Sequence, residues 1–154
     1  MHFMYLLRCA EHYGKSNDTL SRALSRYYAF RARRFGQRLG LTVPTGTCGP
    51  GLFIVHWGSL VVSGKARIGR NCRMHSGVNI GATDDGAPII GDNVYIGPGA
   101  KIFGDITIGD NVKVGANSVV NQSFPSNVVI AGIPAKIVKS SEDQSEGPLE
   151  YASE

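Results

Sequence analysis

Four histidines, His2, His12, His56 and His75, supply the imidazoles of this 154-residue chain. Imidazole is the side chain best placed to move a proton near neutral pH. His2 and His12 fall in the front end and read as incidental. His56 and His75 stand in the middle of the chain. Each fits a general base that would activate a hydroxyl, and each also fits an ordinary surface or capping histidine. Asp84 and Asp85 are adjacent acids in a polar stretch, which suits solvated loop residues better than a glycosidase pair. Other chemistries lack their marks. There is no GxSxG nucleophile turn, no P-loop and no GxGxxG after a strand. No metal site is expected, because HxxxH and CxxC spacings are missing and the central region holds only two histidines. Cys9, Cys48 and Cys72 are scattered, which suggests reduced thiols and a cytoplasmic protein.

The elements that must position these histidines announce themselves by period. From Val62 to Val120 an aliphatic residue recurs every six positions, at 62, 68, 74, 80, 90, 96, 102, 108, 114 and 120. All ten are Val, Ile or Met, and the next residue is usually Gly. Six is neither the helical period nor simple strand alternation. It fits short strands joined by tight corners, three sides to a coil of roughly 18 residues, with the aliphatic residue turned inward. The glycines suit corners that need unusual dihedrals. A Gly-rich β-sandwich is the plainer alternative. Between Ile80 and Ile90 about four residues are extra, which places a loop within residues 82–88. His56 and His75 should then sit on successive coils near one edge. His56 falls formally in the inward ladder, six before Val62, whereas His75 follows inward Met74 and should point outward.

The flanks differ in charge. Residues 1–40 carry a net +6, residues 41–139 a net +3 and residues 140–154 a net −5. The overall +4 therefore reflects a basic front end and not a nucleic-acid binder. Residues 17–39 read as a helix, with Asn17 or Asp18 at its start and Gly40 as its left-handed stop. Leu20, Leu24, Tyr27, Tyr28 and Phe35 form its apolar stripe, and Arg22, Arg26, Arg33 and Arg34 lie off it. Such a helix can pack on the solenoid or a symmetry mate, or lie on a membrane surface. A shorter helix precedes it, ending near Gly14. Residues 41–60 read as turns around a short extended run, Leu52 to Val55. The chain thus divides into a helical segment, 1–40, a repeat domain, 41–139, and an acidic tail, 140–154, expected to be disordered.

Three stretches carry a resemblance: GLFIVHWGSLVVSGKARIGRNCRMHSGVNIG, IIGDNVYIGPGAKIFGDITIGDNVKVGANSVV and VVIAGIPAKIV. Over roughly residues 50–139 the chain resembles the hexapeptide-repeat acyltransferases. Within them it is most similar to the serine acetyltransferase-like branch, which includes enzymes that acetylate surface polysaccharides. The resemblance implies a mainly β fold, a left-handed parallel β-helix, assembled as a homotrimer with sites between subunits. The general crossover rule would have favoured right-handed coils.

The resemblance also implies acetyl-CoA as acyl donor, no metal and direct transfer to a hydroxyl. His56 matches the family's catalytic histidine, and His75 is a second base or an acceptor contact. Gly97, Gly99, Ala116, Asn121 and Gln122 are expected to line the pantetheine groove, with Lys136 and Lys139 on the nucleotide phosphates. Trp57, Asp84 and Asp85 are the candidate acceptor contacts. Val55, Leu41 and Ala87 stand where serine acetyltransferases carry an aspartate, a second aspartate and a histidine. Those substitutions and the short helical segment lead to the expectation of a sugar acceptor in bacterial surface-polysaccharide biosynthesis. Serine O-acetylation and a catalytically silent trimeric scaffold are the alternatives.

Overall fold

A computed structural model describes residues 2–140; the acidic segment from 141 onward lies outside the described residues. Two helices, α1 (His2–Gly14) and α2 (Thr19–Leu39), precede the strands. Asp18 caps α2 by accepting a hydrogen bond from the Ser21 amide at 2.7 Å. Gly40 ends it in the left-handed conformation, φ 72°, which glycine adopts without a Cβ penalty.

Beyond Gly40 the chain winds through three sheets. The first contains β1 (Leu41–Thr42), β3 (Leu60–Val62), β6 (Asn79–Gly81), β9 (Lys101–Phe103) and β12 (Val119–Val120). The second contains β4 (Arg67–Ile68), β7 (Ile89–Ile90) and β10 (Thr107–Ile108). The third contains β2 (Phe53–Ile54), β5 (Arg73–Met74), β8 (Tyr95–Ile96), β11 (Lys113–Val114), β13 (Val128–Gly132) and β14 (Ala135–Ser140). Every pairing is parallel except the closing β13–β14 hairpin. A sandwich cannot give this order, since, that hairpin aside, consecutive strands fall in different sheets and strands one coil apart are neighbours.

All ten repeat positions point inward and are at most 5% exposed. They stack in register, Val62–Ile80–Ile102–Val120 on one side and Ile68–Ile90–Ile108 on the next. Burying one such side chain contributes on the order of 1.5–3 kcal/mol, so the ladder is a substantial source of stability. The strict repeat would set Pro98 opposite Ile80, but Ile80 pairs with Ile102. The next step, from Ile102 to Val120, follows the strict repeat again. The excess in the longer coil is the 82–88 loop.

Three expectations need correction. The glycines after the inward aliphatics are not the residues at positive φ. Along one corner that role falls to Gly77, Gly99 and Asn117, and along another to Asn71, Asn93, Asn111 and Asn127, the latter four with φ between 55° and 63°. The amides of these four form a ladder, Asn71 to Asn93 at 3.0 Å, Asn93 to Asn111 at 3.2 Å and Asn111 to Asn127 at 2.9 Å. The glycines are required because the next coil comes too close: a Cβ on Gly91 would lie 2.8 Å from the carbonyl carbon of Gly109. Second, Leu20 and Tyr27 are not on the packed face of α2. They are exposed, and Tyr28, Ala32, Phe35, Gly36 and Leu39 face the core instead. Third, His56 does not interrupt the inward ladder. The strict repeat would set His56 opposite Met74, but Ile54 takes that place. The first coil is therefore slightly longer than the repeat, and His56 falls past the strand.

Candidate active site

The third sheet and the corner beyond it hold the histidines. β2 and β5 run side by side, and the residues after them turn together toward the first sheet. This brings the rings of His56 and His75 to 6.0 Å between centroids. His56 is exposed and His75 half-buried. Among the described residues no hydrogen-bond partner or carboxylate holds His56. Trp57, 72% exposed, extends beside it into solvent.

The outer face of the same sheet adds residues that the motif reading missed. Phe53, Arg73 and Tyr95 occupy one register row on β2, β5 and β8, each just before an inward aliphatic residue. Tyr95 Oη lies 3.1 Å from His75 Nε2. The Arg73 guanidinium stands over Phe53 at 5.5 Å and over Tyr95 at 6.0 Å. Neither an ion pair nor a hydrogen bond engages that guanidinium among the described residues, so its N–H groups face outward unclaimed. Burial first, then the positive charge of Arg73 and that of His56, hold His75 below the ordinary imidazole range. The signal for this row was present: outward residues precede the inward ones at 54, 74 and 96. Aligning them needed two coils longer than the strict repeat, which a fixed period conceals.

A cleft of about 450 Å³ opens between the helices and the first coil, with Phe3, Met4, Phe35, Leu39, Trp57 and His56 among its walls. His56 therefore stands at the junction of an apolar cleft and the polar row of the third sheet.

The other candidates are distributed along the prism. Gly97 and Gly99 lie one coil beyond His75 on the same corner, and Ala116 lies one coil further. A Cβ on Gly97 would sit 2.9 Å from the Ala116 amide nitrogen, so backbone stacks directly on backbone there. Asn121 and Gln122 are exposed past β12, and the Gln122 side chain donates to the Ala135 carbonyl at 3.2 Å. Lys136 and Lys139 are exposed on β14. Asp84 and Asp85 are exposed on a different corner, between the first and second sheets, and are not brought beside the histidines within this chain.

The bacterial transferase hexapeptide family model (six repeats) matches residues 87–122. The serine acetyltransferase of Staphylococcus xylosus is 40% identical over 134 residues, covering 84% of this chain and 59% of that protein. The chain belongs to the hexapeptide-repeat acyltransferase superfamily. Staphylococcus aureus serine acetyltransferase is 45% identical over 100 residues, 62% of this chain and 47% of that protein. Among solved structures, serine acetyltransferase from Brucella abortus in complex with coenzyme A superposes with a TM-score of 0.71 at 33% identity. That match covers 90% of this hexapeptide-repeat chain and 55% of the Brucella chain. The Neisseria gonorrhoeae enzyme in complex with serine gives 0.68 at 30% identity, covering 90% and 56%. The fold is the left-handed parallel β-helix of these neighbours.

This hexapeptide-repeat chain spans about half the length of the curated relatives it matches. Those relatives are named for serine, which overturns the expectation of a polysaccharide sugar as acceptor. That expectation rested on Val55, Leu41 and Ala87. Three substituted contacts record what the site has lost, not which hydroxyl it has gained.

Proposed function

We propose that the protein transfers the acetyl group of acetyl-CoA to the hydroxyl of serine. The observation that carries this reading is the 40% identity to a serine acetyltransferase over 84% of the chain. Acetyl-CoA supplies an activated acetyl thioester. His56 takes the proton from the serine hydroxyl as its oxygen forms a bond to the thioester carbonyl carbon. The carbon–sulfur bond then breaks, and the imidazolium returns the proton to the leaving thiolate. Backbone N–H groups of the Gly-rich corners are the available donors to the carbonyl oxygen as it gains charge.

The corner formed by Gly97, Gly99 and Ala116 fits a pantetheine arm, because no large side chain covers the backbone there. Lys136 and Lys139, exposed one strand beyond, fit the nucleotide phosphates as mobile point charges. For serine itself, Arg73 offers an unclaimed fork for the carboxylate. Trp57, Asp84 and Asp85 are the further acceptor contacts, in a homotrimer whose sites lie between neighbouring subunits. Apolar residues left exposed on the sheets, Val61, Ile89 and Phe103, support such an assembly. The unpaired cysteines support a reducing, cytoplasmic setting.

The test is thiol release from acetyl-CoA with serine, with its analogues lacking the carboxylate, and with no acceptor. Serine-dependent release is expected. Release with none of these acceptors would leave the scaffold reading in its place.

A further inference from the structure

Helix α2 carries six arginines, Arg22, Arg26, Arg31, Arg33, Arg34 and Arg38, and no acid. All six are exposed. The ion pairs among the described residues are Arg8–Glu11 and Arg70–Asp92, so none of the six meets a carboxylate there. The face of α2 turned from the core also exposes large apolar groups: Leu20 by 71%, Tyr27 by 51% and Phe30 by 60%. At the helical turn angle, Arg26, Tyr27, Arg33 and Arg34 all project within roughly 60° of Phe30. Arg31 donates to Tyr27 Oη at 2.7 Å and stands 5.6 Å from the Tyr27 ring, which fixes that ring on the surface.

The composition of this face selects its partner. A second copy of the same face would set arginine against arginine. A soluble polyanion would satisfy the guanidinium groups and leave Phe30 and Leu20 in water. An anionic bilayer meets both demands, offering phosphates to the arginines and the acyl boundary to the apolar groups. No described helix is long and apolar enough to cross a membrane, so α2 would lie on the surface. We propose that the outer face of α2 docks on anionic lipid membranes, with Phe30, Tyr27 and Leu20 at headgroup depth and the surrounding arginines on lipid phosphates.

The experiment is flotation of the full chain with vesicles of phosphatidylcholine alone or mixed with phosphatidylglycerol. The protein should float with the mixed vesicles only, and added salt should weaken the association. The double variant Arg33→Glu/Arg34→Glu should lower the bound-to-free ratio by about 100-fold or more, since two cations become two anions at the surface. Phe30→Ser, at unchanged charge, should lower it by about tenfold. Thermal melts of both variants confirm that they are folded. Failure to float with mixed vesicles would overturn the proposal, as would full binding by the folded double variant. Unaltered binding by Phe30→Ser, with equal retention on heparin, would make the face a general polyanion surface instead. A change in sedimentation for Phe30→Ser without a change in flotation would make it a contact between copies.

Discussion

Tyr95 Oη stands 3.1 Å from His75 Nε2, so a hydrogen bond joins two successive coils on the outer face of the third sheet. His75 is thereby held against Tyr95 on one side, with His56 on the other at 6.0 Å.

This placement has a consequence for stability. Desolvation, Arg73 and His56 depress the folded value of His75, while the unfolded chain titrates near the ordinary value of about 6.5. Between the two values the unfolded chain binds more protons, so stability rises with pH. The increment should be complete above about pH 6.5 and lost as pH falls through the folded value of His75. Unfolding midpoints measured from acid to neutral pH should show this slope. His75→Gln should flatten it, and an unchanged slope would assign the effect to other groups.

His56→Ala should lower kcat by roughly 10²–10⁴-fold and leave acetyl-CoA affinity nearly unchanged. His75→Ala should act mainly on the KM for the acceptor. Single-turnover rates and coenzyme A titrations separate these effects. If His75→Ala abolishes turnover and His56→Ala spares it, the two roles are exchanged.

Arg73→Gln tests acceptor recognition. Loss of a charged pair to a carboxylate should raise the KM for serine by about 10–100-fold with little change in kcat. Discrimination between serine and serinamide should shrink to the same extent. Equal losses for both acceptors would give Arg73 a structural role, as a stacked partner of Phe53 and Tyr95.

Asn93 tests the corner ladder. Asn93→Ala loses two amide hydrogen bonds and the short polar side chain that lets Asn tolerate positive φ, a cost of about 1–2 kcal/mol. Asn93→Gly loses the bonds and keeps the conformation, so it should cost less. Unfolding at one fixed protein concentration gives the comparison. Equal losses would mean that the backbone conformation contributes little.

The parts of the molecule legible in sequence were those with one geometric solution. Ten aliphatic residues at a spacing of six must point the same way, and all ten are buried. Asn17 or Asp18 and Gly40 marked the ends of α2 because caps are local chemistry, and the structure selects Asp18. The nearness of His56 and His75 followed from coil length alone. What escaped was whatever depended on departures from the period. A longer first coil put Ile54, not His56, opposite Met74. A strict repeat would set Gly91 opposite Arg73, and only the extra loop residues bring Tyr95 there instead. On α2, two apolar faces share one periodicity, and nothing in the sequence ranks Tyr28 above Tyr27 as the packed residue.

The detour between Ile80 and Ile90 bears on how such a protein changes over generations. The ladder resumes in register after it, so its length is uncoupled from the core. Doubling such a loop costs only about 0.6 kcal/mol in closure entropy. On the proposed acceptor role of Asp84 and Asp85, specificity can therefore change at the tip of this loop while selection on folding acts on the ladder and on buried Pro88.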